Sequence, residues 1–214
     1  MFPPHHRIGI KICGFKEPRQ VPIVFDLGVD AVGINLWPRS KRYMPIGEVE
    51  QHLSETAANH HLVAVLVNPD SVLIDATIRS GLFRTIQLHG DESPTLVAEL
   101  IDRGQQVIKA FQVHDADSLD AIADYTCTDV LLDAYNPGLY GGAGHSFPWD
   151  LAVQAANRFP DKRIILSGGL TPQTIAMAIS QTHPAAVDVA SGVESYPGVK
   201  DLALVAEFVN EARI

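Results

Sequence analysis

In the segment Gly9-Ile10-Lys11-Ile12-Cys13-Gly14 an amine and a thiol stand two residues apart. Side chains alternate faces along a strand, so Ile8, Ile10 and Ile12 share one face while Lys11 and Cys13 share the other. A thiol becomes a useful base near neutrality when a neighbouring positive charge stabilises its thiolate, and Lys11 is the available source of that field. The same alternation puts Asp133 on a face with Leu131, Asp188 with Ala186 and Ala190, and Gln87 with His89. Acid and base chemistry is therefore collected at strand ends. Each of these residues also has a plainer reading. Cys13 serves as a small core residue, and Asp133 caps the loop after its strand. Asp188 pairs with Lys11 or Lys109 inside a barrel, and His89, beside Gly90-Asp91, is a hydrogen-bonded loop histidine. Cys127 has no neighbour that suggests chemistry.

Two glycine segments late in the chain point to an anion. Ser167-Gly168-Gly169 and Ala190-Ser191-Gly192 each close a short apolar run, and glycine lets backbone N–H groups approach a phosphate. A third, Tyr140-Gly141-Gly142-Ala143-Gly144, follows Asp133 and is read as a mobile cover over the site.

Positioning these groups requires a particular scaffold. Apolar runs recur at Ile8–Ile12, Ala31–Leu36, Leu62–Val67, Thr85–Leu88, Val107–Phe111, Val130–Leu132, Ile164–Leu166 and Ala186–Val189. Helical spacing fills the gaps, near Val21–Leu27, Gly47–Asn59, Ser71–Ser80, Pro94–Asp102, Asp117–Asp124, Trp149–Arg158, Pro172–Gln181 and Leu202–Ala212. Ser93-Pro94 and Thr171-Pro172 are helix starts, with a capping hydroxyl before a proline that tolerates the first turn. Eight strands alternating with eight helices in 214 residues predict an α/β fold, a (β/α)8 TIM barrel forming one domain over residues 1–214. In that fold the polar strand ends form the C-terminal rim, where chemistry occurs, and the turns after strands seven and eight are a recurrent phosphate site. A doubly wound open sheet is the alternative, but no GxGxxG follows the first strand and no P-loop spacing occurs.

Composition narrows the partners. A formal charge of −9 and the absence of any basic run exclude a surface for nucleic acid or an anionic membrane. No apolar run approaches the roughly 20 residues of a bilayer span. Two distant cysteines, without metal-ligand spacing, indicate a reducing compartment, and the chain is expected in the cytoplasm with no metal. Its oligomeric state is left open.

Taken together, Lys11-Ile12-Cys13-Gly14, Pro38–Tyr43, Gln87–Glu92, Leu131–Asp133, Gly141–Gly144, Leu166–Leu170 and Val187–Glu194 make the sequence resemble the phosphoribosylanthranilate isomerase family of tryptophan biosynthesis. The resemblance runs in family order from near residue 10 to near residue 201. It implies a barrel that uses no cofactor and converts N-(5-phosphoribosyl)anthranilate to 1-(2-carboxyphenylamino)-1-deoxyribulose 5-phosphate by an Amadori rearrangement. By the same resemblance, Cys13 matches the general base, Asp133 the general acid and Arg42 the arginine that holds the anthranilate carboxylate. Gly168, Gly169, Ser191 and Gly192 match the phosphate turns, and Asp188 matches an aspartate near the reacting ribose. Lys11 and His89 complete the expected substrate-binding set. Another sugar-phosphate isomerase or epimerase barrel, or a non-catalytic barrel that binds a phosphorylated ligand, are the rival readings.

The sequence departs from the family pattern in four places. Phe15–Gln20 lacks the usual start of the first helix and Pro22 follows, so that helix is expected to begin late. Ala143 and His145 stand in the glycine loop for the usual hydroxyl and lysine, and Ala190-Ser191 for a serine pair. Asn35-Leu36-Trp37 replaces a more aromatic strand end beside the anthranilate pocket.

Overall fold

The computed structural model describes residues 7–134 and 148–214. Eight strands run parallel and close on themselves in sequence order: β1 (Gly9–Cys13), β2 (Ala31–Asn35), β3 (Leu62–Leu66), β4 (Thr85–Leu88), β5 (Gln106–Val113), β6 (Asp129–Ala134), β7 (Arg163–Leu166) and β8 (Ala186–Val189). Closure is made by β1, which pairs with β2 on one side and β8 on the other. The α-helices are α1 (Gln20–Asp26), α2 (Ile46–Asn59), α3 (Ser71–Ser80), α4 (Pro94–Asp102), α5 (Trp149–Arg158), α6 (Pro172–Thr182) and α7 (Leu202–Ala212). A hairpin, β9 (Glu194–Tyr196) and β10 (Val199–Lys200), sits between β8 and α7. Among the described residues no helix is long and apolar enough to cross a membrane.

Local chemistry explains most of these boundaries. Ser93 accepts from the Leu96 N–H ahead of Pro94, and Thr171 and Thr174 form a reciprocal capping box around Pro172. Helix α1 does start late, at Gln20, which leaves Pro22 in the first turn where its missing N–H has no helical partner to lose. The expected helix at Asp117–Asp124 is instead a 3-10 helix. Its two buried residues, Leu119 and Ile122, are three apart, and three residues per turn keeps both on the wall side.

Two apolar sets divide the core. Ile10, Ile12, Val32, Ile34 and their equivalents pack outward against the helices. Ala31, Val63, Ile108, Ala110, Leu131, Ile165 and Ala186 fill the barrel interior. Both sets follow strand alternation. Below the interior layer Arg163 and Asp129 form an ion pair, with Nε to Oδ1 at 2.8 Å; above it the inward side chains become polar.

His61 precedes β3, where its Nε2 lies 2.8 Å from the Thr85 hydroxyl. Burial, reinforced by the Arg84 guanidinium, lowers its pKa from 6.5 to about 4. The folded value lies below the unfolded one, so the unfolded chain takes up the proton first. The stability contributed by the neutral ring is complete above about pH 6.5 and is lost as pH falls toward 4. Allowing for its partial exposure, about 1–2 kcal/mol should disappear across that window. Thermal melts at pH 7 and pH 4.5 are expected to show a smaller drop in Tm for His61→Gln than for the native chain; equal drops would mean that other groups account for it.

Candidate active site

Lys11 and Asp188 are register partners on β1 and β8, and both point inward. Lys11 is fully buried and donates to Asp188 Oδ1 at 2.8 Å. Burial by itself would lower the lysine pKa, but the adjacent Asp188 and Cys13 more than offset it and the net shift is upward. Cys13, one inward position further, faces Gly33 of β2. A Cβ at Gly33 would lie 2.8 Å from the Cys13 sulfur and 3.0 Å from the Lys11 ammonium, so the bare glycine gives both groups their space. Burial pushes the Cys13 thiol above the ordinary range, and Asp188 adds to this, while Lys11 and Lys200 pull against it. Lys11 thus acts on the thiol in the expected direction, but its charge is shared with Asp188 and does not carry the thiol below its ordinary value.

On the other side stands Asp133, 4 % exposed, whose Oδ1 accepts from its neighbour's backbone N–H at Ala134 (3.0 Å). Its Oδ2 is 3.2 Å from His89 Nε2, and His89 Nδ1 is 2.8 Å from the Gln87 amide nitrogen. With that amide donating to Nδ1, the neutral ring carries its hydrogen on Nε2 and directs it at Asp133. The loop bearing His89 is braced from outside the barrel. Lys109 lies between the inward residues Ile108 and Ala110 and therefore faces outward, so it is not a partner for Asp188. It donates instead to Glu92 Oε2 (3.1 Å) and the Gly90 carbonyl (2.7 Å).

Cys13, Arg42, His89, Asp133 and Asp188 line one cavity of about 210 Å3 at the C-terminal mouth. Asn35 and Trp37, the atypical end of β2, form part of its wall. Lys11 is not among the lining residues. Gly168 and Gly169 both have left-handed backbone, at φ 89° and 69°, and their N–H groups have no hydrogen-bond partner among the described residues. Ser191 and Gly192 begin a short 3-10 turn after β8. A Cβ on Gly192 would come within 1.9 Å of the Leu170 carbonyl oxygen, so only glycine lets the two turns pack together. These four residues lie outside the cavity lining, although Ser167 and Ala190, which precede them, are part of it. The Tyr140–Gly144 segment, with Ala143 and His145, lies outside the described residues. Among those that are described, no group of three or more His, Cys, Asp and Glu side chains is arranged to hold a metal ion.

Such a mouth can pass one proton out and another in. Its cysteine and aspartate come from different strands, an arginine is nearby, and the Gly168-Gly169 turn offers N–H groups that have no partner among the described residues. A family model described as N-(5'phosphoribosyl)anthranilate (PRA) isomerase matches residues 10–211. The chain belongs to that family. The N-(5'-phosphoribosyl)anthranilate isomerase of Trichlorobacter lovleyi is 40% identical over 206 residues, covering 96% of this chain and 98% of that protein. The crystal structure of phosphoribosyl anthranilate isomerase from Thermotoga maritima superposes with a TM-score of 0.87 at 32% identity, covering 96% of this chain and 98% of that one. A phosphoribosyl anthranilate isomerase solved in complex with reduced 1-(o-carboxyphenylamino)-1-deoxyribulose 5-phosphate gives 0.82 at 30% identity, with coverage of 96% and 98%. The chain is an isomerase of tryptophan biosynthesis on the (β/α)8 barrel that the family shares.

Three residues around this mouth carry no clear signal in the sequence. Gly33 is one, because the strand register that sets it opposite Cys13 is a tertiary fact. Lys200 and Glu194 are the others. Lys200 is 2 % exposed and donates to the Cys13 carbonyl at 2.7 Å across 187 positions. Glu194 accepts from Arg42 Nε at 2.8 Å and from its NH2 at 2.7 Å. Glu194 closes one of the motifs that carried the family resemblance, yet nothing in its spacing named a partner.

Proposed function

We propose that Cys13 is the general base and Asp133 the general acid of this isomerase. On this reading Arg42 holds the anthranilate carboxylate, and Gly168, Gly169, Ser191 and Gly192 hold the phosphate. The observation that carries it is that Cys13, Asp133 and Arg42, from separate segments, open onto one cavity at the barrel mouth. The ligand bound to the relative above has by its name a ring carboxylate and a 5-phosphate, and the arginine and the glycine turns are chemically suited to those two groups.

The reaction follows from the charges. Asp133 gives its proton to the furanose ring oxygen, the C1′–O bond breaks, and the anthranilate nitrogen supplies the electron pair that leaves a protonated imine. That positive charge acidifies C2′. The Cys13 thiolate removes the C2′ proton, and the C–H electrons neutralise the imine. The resulting enol gains a proton at C1′ and loses one from its oxygen, which gives the ketose. His89 orients Asp133, and the Lys11–Asp188 pair sets the charge beneath Cys13. A phosphorylated small molecule is then the partner, and the two free thiols suit a reducing cytoplasm.

The pH dependence of kcat/KM tests this assignment. Lys11 lowers and Asp188 raises the Cys13 pKa, so the two charges act in opposite directions. Conversion of the anthranilate substrate, followed by loss of its fluorescence, should show the ascending limb moving to higher pH in Lys11→Met and to lower pH in Asp188→Asn. Breaking a buried pair costs about 3–5 kcal/mol, so the profiles should be recorded well below each variant's Tm. Shifts of the same sign, or none, would remove Cys13 from the role of base.

A further inference from the structure

Lys200 ends the hairpin outside the barrel wall, yet its ammonium is buried and fully engaged. Besides the Cys13 carbonyl it donates to the Ala190 carbonyl at 3.1 Å and to Glu194 Oε1 at 2.8 Å, and it lies 5.2 Å from the centre of the Phe15 ring. A single lysine therefore ties the ends of β1 and β8 to one carboxylate. Glu194 in turn accepts from the Gly198 N–H at 3.0 Å and grips the Nε and NH2 edge of Arg42 through both of its oxygens. This two-pronged geometry fixes a guanidinium in direction as well as in place. The Arg42 shaft is held too, since a Cβ at Gly14 would fall 2.3 Å from Arg42 Cδ. The remaining NH1 group makes no hydrogen bond among the described residues, on an arginine that lines the cavity.

We propose that Glu194, braced by Lys200, is a positioning residue for carboxylate recognition: it holds Arg42 by one edge so that the free NH1 end meets the carboxylate of the substrate. This rests on the assignment of Arg42 as the carboxylate clamp. An ordinary surface ion pair is weak and imposes no direction. Here a buried lysine and a backbone N–H occupy Glu194 Oε1, so the carboxylate cannot turn away from Arg42. In Glu194→Gln the amide oxygen can satisfy Lys200 and Gly198, but the amide N–H2 then confronts Arg42 NH2, donor against donor, and the guanidinium should swing out of line.

The test compares two ligands, reduced 1-(o-carboxyphenylamino)-1-deoxyribulose 5-phosphate and the same compound without its ring carboxylate. The ratio of their Kd values reads carboxylate recognition alone. Glu194→Gln is expected to reduce that ratio at least fivefold, to leave the Kd of the carboxylate-free ligand within about twofold, and to raise KM more than it lowers kcat. Lys200→Met should do the same to the ratio. Arg42→Ala sets the floor. If Arg42→Ala abolishes the preference while Glu194→Gln leaves the ratio within twofold of the native value, the positioning role is overturned and the clamp stands. If Arg42→Ala itself preserves the ratio, the clamp assignment is wrong and the inference falls with it. The native enzyme supplies a readout that does not depend on a variant folding. Its Arg42 Nε–H resonance should stay protected from exchange both free and with the carboxylate ligand bound, and loss of that protection on binding would show that Glu194 lets go of the arginine.

Discussion

Replacing Cys13 with alanine is expected to lower kcat/KM by about 10^3- to 10^4-fold, in the upper part of the range for loss of a general base. Among the described residues the one side-chain partner of the sulfur is Lys11, and the barrel should remain intact without it: Lys11 keeps its bond to Asp188, and Lys200 binds the Cys13 backbone carbonyl, which the substitution retains. The change in stability should therefore stay within about 1 kcal/mol. Arg42 and the glycine turns are untouched, so the Kd for the reduced carboxyphenylamino ligand should change by less than about threefold. Cys13→Ser should be nearly as slow as the alanine variant, because a hydroxyl at this position is a far weaker base than a thiolate. Turnover within tenfold of native in either variant, measured by loss of substrate fluorescence, would assign the C2′ proton to another group. Asp188, which shares the cavity, would be the first candidate.

Alternation along short strands makes the inward set legible in the sequence. Lys11 with Cys13, Leu131 with Asp133, Ala186 with Asp188 and Gln87 with His89 all emerge on the barrel side because a strand offers only two faces. The same rule separates the two lysines considered as partners for Asp188. Lys109 sits between Ile108 and Ala110, which fill the interior, so it must face the helices, and that signal is present in the sequence. Other features had no local signal. Gly33 matters because register places it against Cys13, and the pairing of β1 with β2 is settled by twist and closure around the whole barrel. Lys200 reaches the Cys13 carbonyl from a hairpin whose two short strands carry no strong alternation. The field expected from Lys11 was right in sign but incomplete, because Asp188 answers it at 2.8 Å and Lys200 contributes from the other side. A single sequence names the charged residues but leaves open which of them neutralise one another.

Asp133→Asn should be as damaging as the loss of Cys13, with kcat lowered by about 10^3-fold or more, and its comparison with His89→Asn decides which of the two delivers the proton. Asparagine can keep the acceptor contact to the Ala134 N–H, so the strand end should hold its shape while the side chain loses any acidic proton. His89 touches Asp133 rather than standing alone, and Gln87 holds it from behind. Its loss should misalign the carboxyl group and leave the acid in place, which predicts a fall of about 10- to 100-fold. The Gln87 oxygen has no hydrogen-bond partner among the described residues, although it is buried. Turned over, that amide would accept from a hydrogen on Nδ1, and Nε2 would then be free to accept from a protonated Asp133. The triad can therefore accommodate Asp133 with or without its proton by a rotation of one amide and a shift of tautomer. Single-turnover kinetics on Asp133→Asn and His89→Asn should place the aspartate variant at least tenfold below the histidine variant. The reverse order would make His89 the acid and Asp133 the group that orients it.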